Sequence, residues 1–482
     1  MQDYVILVNL DNKTCHALAR RLRADGTYCR IVPGTTTADE LLQAAPNGVL
    51  LASGFTGQPL DFPQMMDYVQ AGLPMLCFGD CALTLCQTLG GELAPKQEGG
   101  IVSVAIDSTD AIFTGLESNE VYMPAVRGMV FTEDVGRACA AAEDTVLCLH
   151  MRQRDVWGLA APLERNDPAT IQLLNNFCRD VCGCTPWWSE RVFIERAQAQ
   201  IAEAAGDGEA LCALSGGVDS GVTALLGQLA LGQRLHCIFI DTGFLREDEA
   251  DEVMEAYQNQ LGMVVRRVDA RAEFLLAIKG VTDPGEKERI IRSLLREVLR
   301  REAASFPNVK LILRGTNYAD EIDPADATSP IGGAMLEPVK ELFKDEIRHV
   351  GESLGMPAAM TTRQPFPGSG LATRIMASVT AERLDILRTA DAIFRKEIEL
   401  AGLQKRLWQY YAAMAVSPLP NGGLLVILRA VQASEGGAGL PARLPSDLLE
   451  RVTADITREC PDVQRVFYDC TPSRSYAMQA GK

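Results

Sequence analysis

Six residues, Ser215-Gly216-Gly217-Val218-Asp219-Ser220, follow the apolar run Leu211-Cys212-Ala213-Leu214 and precede the helical run Gly221 to Leu231. A strand that ends in paired glycines and hydroxyls at a helix start presents backbone N–H groups and the positive end of a helix dipole, which together cradle a polyanion. The pattern is not G-x-x-x-x-G-K-[ST], because it lacks the lysine and carries Asp219 inside the turn. A carboxylate there repels phosphate unless a divalent cation lies between them, so the turn calls for Mg2+ with Asp219 as its ligand.

Alternating strands and helices must position such a turn. Leu235 to Ile240 reads as a strand ending at Asp241-Thr242-Gly243, and Met263 to Val268 as the next, followed by a short helix from Phe274 to Ile278. Val309 to Leu313 then delivers Arg314-Gly315-Thr316-Asn317-Tyr318-Ala319-Asp320. Earlier in the chain, strands at Asp3 to Asn9, Cys29 to Pro33, Gly48 to Ser53 and Pro74 to Phe78 alternate with helices at Thr14 to Arg23 and Ala82 to Leu89. This order implies parallel sheets with the active groups at the carboxyl ends of the strands. The fold class expected is α/β: a doubly wound parallel-sheet domain over 1–185, a second α/β domain over 186–375, and a small α+β domain over 376–482.

Composition narrows the function classes. With 46 Lys and Arg against 63 Asp and Glu, the net charge of −17 argues against a nucleic-acid partner. A length of 482 residues with 47% hydrophobic and 23% charged residues suits a soluble protein of two or three domains. Neither a basic and apolar leader nor an apolar run of membrane-spanning length is found, and the 14 cysteines then read as reduced thiols in the cytoplasm. Cys178, Cys182 and Cys184 match no paired zinc-ligand spacing. They read as a helix end and linker, with Trp187 and Trp188 expected to dock on the following domain.

The hexapeptide resembles the pyrophosphate loop of N-type ATP pyrophosphatases, which cut ATP between the α- and β-phosphates to adenylate a substrate oxygen. Leu336-Glu337-Pro338-Val339-Lys340-Glu341-Leu342-Phe343-Lys344-Asp345-Glu346 and Arg363-Gln364-Pro365-Phe366-Pro367-Gly368-Ser369-Gly370-Leu371 extend the resemblance to the GMP synthase family. The resemblance makes 186–375 an adenine nucleotide alpha hydrolase-like domain that uses ATP and Mg2+. It implies that Ser215, Gly216, Gly217, Val218, Asp219, Ser220, Asp241 and Gly315 hold the nucleotide, and that Asp219 and Lys344 are catalytic, Lys344 through charge on the leaving pyrophosphate. Arg246, Lys287, Arg289, Thr316 and Asp320 then face the substrate, with Lys287 and Arg289 on a closing lid. Without the resemblance, Asp241 caps the next helix and the charge run around Lys287 is a solvated helix face. A homodimer through 376–482 is also implied.

The first domain resembles class I glutamine amidotransferases but breaks their chemistry. Aligned on Leu89-Gly90-Gly91-Glu92, the family's G-x-C-x-G-x-Q places Gly79 at the nucleophile, Cys77 and Cys81 at the glycines and Leu83 at the glutamine. Ala161 and Leu163 stand at the later histidine and glutamate, and the register of His150 is wrong for that role. With neither thiolate nor base, the glutaminase is expected to be inactive, and Cys77, Cys81 and Cys86 to be small buried hydrophobes. At the other end, Thr471-Pro472-Ser473-Arg474-Ser475-Tyr476-Ala477 replaces the family's nucleotide-binding tail, and the stretch between Asp323 and Leu336 is shorter. Three functions follow. One is a ligase that adenylates a carbonyl of a purine nucleotide such as XMP and aminates it to GMP with ammonia, free or from a separate protein, rather than through its own glutaminase. Another is a divergent pyrophosphatase that serves amidation or sulfur transfer, with a separate ammonia- or sulfur-donating protein. The third is a nucleotide-binding regulatory pseudoenzyme.

Overall fold

Buried apolar runs, capped helices and glycine turns set the first part of the chain. The computed structural model describes residues 3–117, 119–162, 167–318, 333–364, 366, 368–417, 423–433 and 439–472. The chain divides into two compact units, Met1–Phe193 and Ile194–Lys482. In the first, β1 (Val5–Asn9), α1 (Asn12–Ala24), β2 (Cys29–Pro33), α2 (Ala38–Ala44), β3 (Gly48–Ala52), α3 (Met65–Ala71), β4 (Met75–Phe78) and α4 (Asp80–Thr88) alternate. Asp11 caps α1 by accepting from Thr14 N at 3.0 Å, and Thr37 with Glu40 forms a capping box on α2. β3 and β4 are buried along their whole length, as strands covered on both faces must be.

The same unit continues with β5 (Glu92–Leu93), β6 (Gln97–Ile106), β7 (Asn119–Val126), β8 (Met129–Val130), β9 (Gly136–Ala142), β10 (Thr145–Met151), β11 (Val156–Leu159) and α5 (Pro168–Asn175). Among the described residues its main sheet has the order β2-β1-β3-β4-β11-β10-β9-β6-β7. The pairings from β2 to β11 are parallel and those from β11 to β7 antiparallel. The expected doubly wound sheet is thus present with an antiparallel extension that the sequence reading omitted. The tryptophans also depart from expectation, because they fold back on this unit. Trp188 stacks on Tyr28 with centroids 4.8 Å apart, and Trp187 Nε1 donates to Asp3 O at 2.7 Å.

In the second unit, α6 (Glu190–Ala205) leads into β12 (Glu209–Leu214), α7 (Val218–Leu231), β13 (Leu235–Asp241), α8 (Glu249–Glu255), β14 (Val265–Asp269), α9 (Arg271–Ala277), α10 (Pro284–Ala303), β15 (Val309–Leu313) and β16 (Ala334–Leu336). These strands form a parallel sheet of order β14-β13-β12-β15-β16. The chain starts at β12, steps to one side, then returns to β15 on the other side of β12. The carboxyl ends of β12 and β15 therefore flank the topological switch, where ligands of open α/β sheets bind.

Then follow α11 (Lys344–Ser353), α12 (Ala358–Thr361), α13 (Ala381–Leu400), β17 (Gln409–Val416), β18 (Leu424–Ala433), β19 (Gly439–Pro441), α14 (Ser446–Glu459) and β20 (Val463–Tyr468). β17 and β19 pair antiparallel with β18, and β20 pairs with it in parallel. One apolar core includes Phe244, Phe274 and Ile291 together with Leu387, Phe394 and Val452, so residues on both sides of position 375 share it.

Candidate active site

The turn after β12 is built by its own hydroxyls. Ser215 Oγ and Ser220 Oγ lie 3.0 Å apart, Ser220 Oγ accepts from Ser215 N at 3.2 Å, and its hydroxyl donates to Gly217 O at 3.0 Å. Gly216 has φ +77°, and a Cβ there would sit 2.9 Å from Val253 Cγ2 and 3.0 Å from Arg363 Nη1. Glycine is therefore required on two grounds. Gly217 precedes α7 without a side-chain cap, which leaves the helix start, with its dipole, to an anion. From behind, Arg363 Nη1 donates to Gly216 O at 2.9 Å while Nη2 pairs with the buried Glu249. Glu249 also accepts from Arg246 N at 2.7 Å. Sequence reasoning did not single out this Arg363–Glu249 brace; its one signal was the matched run that opens with Arg363.

Asp219 is the centre of the polar groups here. Its Oδ2 accepts from Asn317 Nδ2 at 3.2 Å and lies 3.7 Å from Lys344 Nζ, the first residue of α11. Asn317 was quoted in the sequence but given no role. Gly315 makes this approach possible, since a Cβ on it would fall 2.6 Å from both Ser220 Cα and Ser220 N. The loop after β15 thus lies directly on the start of α7, across the topological switch. Thr316 is buried, and its hydroxyl donates to Glu337 Oε1 at 2.7 Å. Burial pushes the Glu337 carboxyl up, but the Thr316 hydroxyl and Lys340, 3.0 Å away, hold it below its ordinary value.

Other expected site residues have different occupations. Asp241 Oδ1 accepts from Gly243 N at 3.0 Å and Oδ2 from Arg267 Nη2 at 2.7 Å, at the wall of a cavity of about 430 Å3. Arg246 is 5% exposed, with Nε 3.5 Å from Asp391 Oδ2 and its guanidinium 4.3 Å from the Phe366 ring centroid. Burial pushes it down to about 10. This corrects the expectation of a substrate contact, because the side chain is spent inside the protein. Lys287 is corrected more sharply. It is fully buried, and its Nζ donates to Ala372 O, Ile375 O and Ala377 O at 3.3, 2.5 and 2.7 Å. An ammonium has three N–H groups, and here three carbonyls take them, so Lys287 ties α10 to the segment that follows Leu371 instead of closing over a nucleotide. Arg289 faces outward on the same regular helix and pairs with Glu286 at 2.7 Å. Asp320 lies outside the described residues, as do Leu163 and Ser473 to Ala477. The structure therefore brings together Ser215 to Ser220, Gly315, Asn317 and Lys344, and sets Arg246, Lys287 and Arg289 to other tasks.

The turn after β4 in the first unit also begins with a left-handed glycine. Gly79 has φ +73°, and a Cβ on it would meet Ser53 O at 2.3 Å and Gly54 O at 2.7 Å. No nucleophilic side chain fits this elbow without moving backbone. The amide of the next residue, Asp80 N, donates to Gly54 O at 3.0 Å. The Asp80 carboxylate accepts from Thr56 N at 2.9 Å, Gly57 N at 2.9 Å, Gln58 N at 3.2 Å and Thr56 Oγ1 at 2.7 Å. Backbone donors that face a strand-to-helix elbow are the material of an oxyanion hole, and here this chain's own groups take them. Cys81 is buried, with its Sγ 2.7 Å from Phe78 O and 3.1 Å from Leu51 O, two carbonyls within reach of its one S–H. Cys77 is raised well above the usual thiol range by its contact with Cys81 and by burial, and burial pushes Cys86 up to about 11. His150 is held elsewhere, with Nδ1 2.7 Å from Asp110 Oδ2.

Comparison with known proteins gives two matches to family models. Residues 194–374 match the NAD synthase family and residues 396–477 the GMP synthase C terminal domain. The chain is similar to the glutamine-hydrolyzing GMP synthase of Clostridium perfringens (strain 13 / Type A), at 34% identity with 98% of each chain covered. It is equally similar to that of Clostridium botulinum (strain Kyoto / Type A2), again 34% identical with 98% of each chain covered.

Proposed function

Since the chain belongs to the GMP synthase family and catalyses the ATP-dependent amination of XMP to GMP, we propose that it does so with ammonia supplied from outside, its own glutaminase half being inactive. The observation that carries this reading is the filled elbow. Gly79 admits no Cβ, and Asp80 consumes the amides that would otherwise stabilise an oxyanion. No finding favours sulfur transfer or a regulatory pseudoenzyme. The homodimer, the cytoplasmic location and the division into 1–185, 186–375 and 376–482 remain part of this proposal. Among the described residues no helix is long and apolar enough to cross a membrane.

In the ligase half, the start of α7 and the Ser215 and Gly217 region hold the phosphates of ATP, and Arg363 fixes the loop that presents them. Asp219 suits Mg2+, because a 16%-exposed carboxylate beside a phosphate site is the single protein ligand such an ion commonly takes, phosphates and water completing its shell. When bound there, Mg2+ neutralises phosphate charge. Lys344, on the same carboxylate oxygen, supplies a second positive charge for the pyrophosphate as it leaves. The cradle holds the α-phosphorus in line for attack by the XMP carbonyl oxygen, and ammonia then displaces AMP from the activated carbon.

The test is to incubate the purified chain with ATP, Mg2+ and XMP and to follow GMP, pyrophosphate and glutamate. GMP is expected with ammonium and not with glutamine. Glutamate released from glutamine in step with GMP would overturn the proposal.

A further inference from the structure

The first unit contains a polar cluster that the ligase reaction does not use. Asp110 Oδ2, Cys139 Sγ and His150 Nδ1 lie within 4.8 Å of one another. We propose that these three atoms bind a borderline divalent cation, Zn2+ by the chemistry of the set, with the fourth position open to water.

Three observations support the site. First, the donors around Asp110 are divided unevenly between its oxygens. Oδ1 is fixed by Trp157 Nε1 at 3.0 Å and Ile112 N at 3.2 Å, a rigid indole and a backbone amide. Oδ2 is surrounded by Arg137 Nη2 at 2.6 Å, His150 Nδ1 at 2.7 Å and Cys139 Sγ at 3.1 Å. Three polar groups crowd this one oxygen, and Arg137 Nε also donates toward His150 Nδ1 at 3.4 Å. A cation suits this crowding, because carboxylate, imidazole and thiolate can all turn lone pairs toward it. Asp110 Oδ1, held by Trp157, remains as the outer contact that orients a carboxylate ligand.

Second, a cation already stands at this point. The Arg137 guanidinium pairs with Asp110 and comes within 3.4 Å of His150 Nδ1. Its side chain is 52% exposed and lines a surface cleft of about 980 Å3 that also reaches His150. Arg137 can therefore swing into the cleft and leave an entry path. Third, the ladder is locally irregular beside Cys139. Cys148 pairs with Ala140 out of step with Val146–Ala141 on one side and Leu149–Ala138 on the other, so the ladder steps over both Leu147 on β10 and Cys139 on β9. Such irregularities re-aim side chains beside functional sites. Sulfur, imidazole nitrogen and carboxylate oxygen together suit zinc, at about 2.3 Å for S and about 2.0 Å for N and O. Tetrahedral ligands at those lengths stand roughly 3.3–3.5 Å apart, against 2.7 Å from His150 Nδ1 to Asp110 Oδ2 and 3.1 Å from Cys139 Sγ to Asp110 Oδ2 here.

The experiment uses the full chain, stripped with a chelator and then titrated with Zn2+ against a chromogenic competitor, and separately with Co2+ under near-ultraviolet absorbance. One ion per chain is expected, with a thiolate-to-cobalt band that Cys139→Ser abolishes. His150→Gln is expected to weaken Zn2+ at least about 100-fold. Arg137→Ala is expected to tighten it about 10-fold by removing the resident cation, with circular dichroism checking that the fold is kept. Absence of a stoichiometric ion from both the unmodified chain and Arg137→Ala, or a cobalt band that survives Cys139→Ser, would overturn the site. Ammonia-dependent GMP synthesis by the stripped protein is expected to be unchanged, which keeps this test separate from that of the ligase.

Discussion

The turn after β12 and the turn after β4 share a plan and differ in who uses the donors. Each follows a buried parallel strand, contains a left-handed glycine, with φ of +77° at Gly216 and +73° at Gly79, and leads into a helix. In the ligase turn, side chains bind one another around the rim, and Arg363 braces the loop through Gly216 O from outside. At the elbow of the first unit, Asp80 turns back into the amides of Thr56, Gly57 and Gln58. At the ligase turn neutral hydroxyls take the amides, Ser220 Oγ that of Ser215 at 3.2 Å and Ser215 Oγ that of Gly217 at 3.3 Å, whereas a carboxylate takes them at the elbow. The charge of the group that fills the turn is what separates the two, since an anion already in place repels a second one.

Attack on the open turn is expected to give the largest effects. Asp219→Asn should lower ammonia-dependent pyrophosphate release by about 1,000-fold and Lys344→Met by about 100-fold, with thermal unfolding little changed. Because both groups act at one oxygen, the double variant should lose far less than the product of the two. Fully multiplicative losses would show that they act apart, and the comparison would lose its ligand side. Gly315→Ala tests the packing beneath. Its Cβ, 2.6 Å from Ser220 Cα, must displace the start of α7, so activity should fall about 10-fold or more and stability by about 1–3 kcal/mol. Normal kinetics with Gly315→Ala would mean that the two loops need not touch.

Much of this was legible in the sequence. The hexapeptide and its strand pointed to the turn after β12, and the aligned glycine in place of a cysteine is the sequence feature on which the proposed loss of glutaminase activity rests. What the sequence hid was pairing. Lys287 and Arg289 are two positions apart in one charged run, yet a helix carries them to different faces, so one meets three carbonyls and the other solvent and Glu286. Arg246 looked like a ligand-facing arginine because Asp391, its partner, is 145 positions away and nothing local predicts the contact. The filling of the nest by Asp80 was equally invisible, since it depends on the loop after β3 lying against the start of α4.

Lys287 supplies a contrast with Lys344, one basic group kept inside and one left for a ligand. Lys287→Met should leave KM for ATP unchanged and cost about 1–3 kcal/mol of stability, because three carbonyls lose their donor. Burial pushes Lys287 down to about 8, below the ordinary value of 10.5. Between those values the unfolded chain holds the extra proton, so stability should rise as pH rises from about 8 to about 10.5. Chemical denaturation across that range should show the rise in the unmodified protein and a flatter profile in the variant. A variant that unfolds normally but needs more ATP would return Lys287 to the nucleotide.

The smallest expected change in activity is the one that most directly probes the closed joint. If only the nucleophile were missing, Gly79→Cys would restore a thiol at the elbow and some glutamine hydrolysis with it. The geometry predicts otherwise, because the new Cβ meets Ser53 O at 2.3 Å, Asp80 N is already committed to Gly54 O, and the facing amides are held by a carboxylate. Thiolate attack on an amide needs those donors as much as it needs sulfur. Gly79→Cys should therefore release no glutamate above background and should lower the melting temperature of the first unit. Combining it with Asp80→Ala would free the amides of Thr56, Gly57 and Gln58, yet the aligned histidine and glutamate positions still hold Ala161 and Leu163, so the thiol stays protonated. Glutamate formation by the single variant would show that the elbow opens in solution, and the two turns would then differ by one atom of sulfur instead of by the fate of their amides.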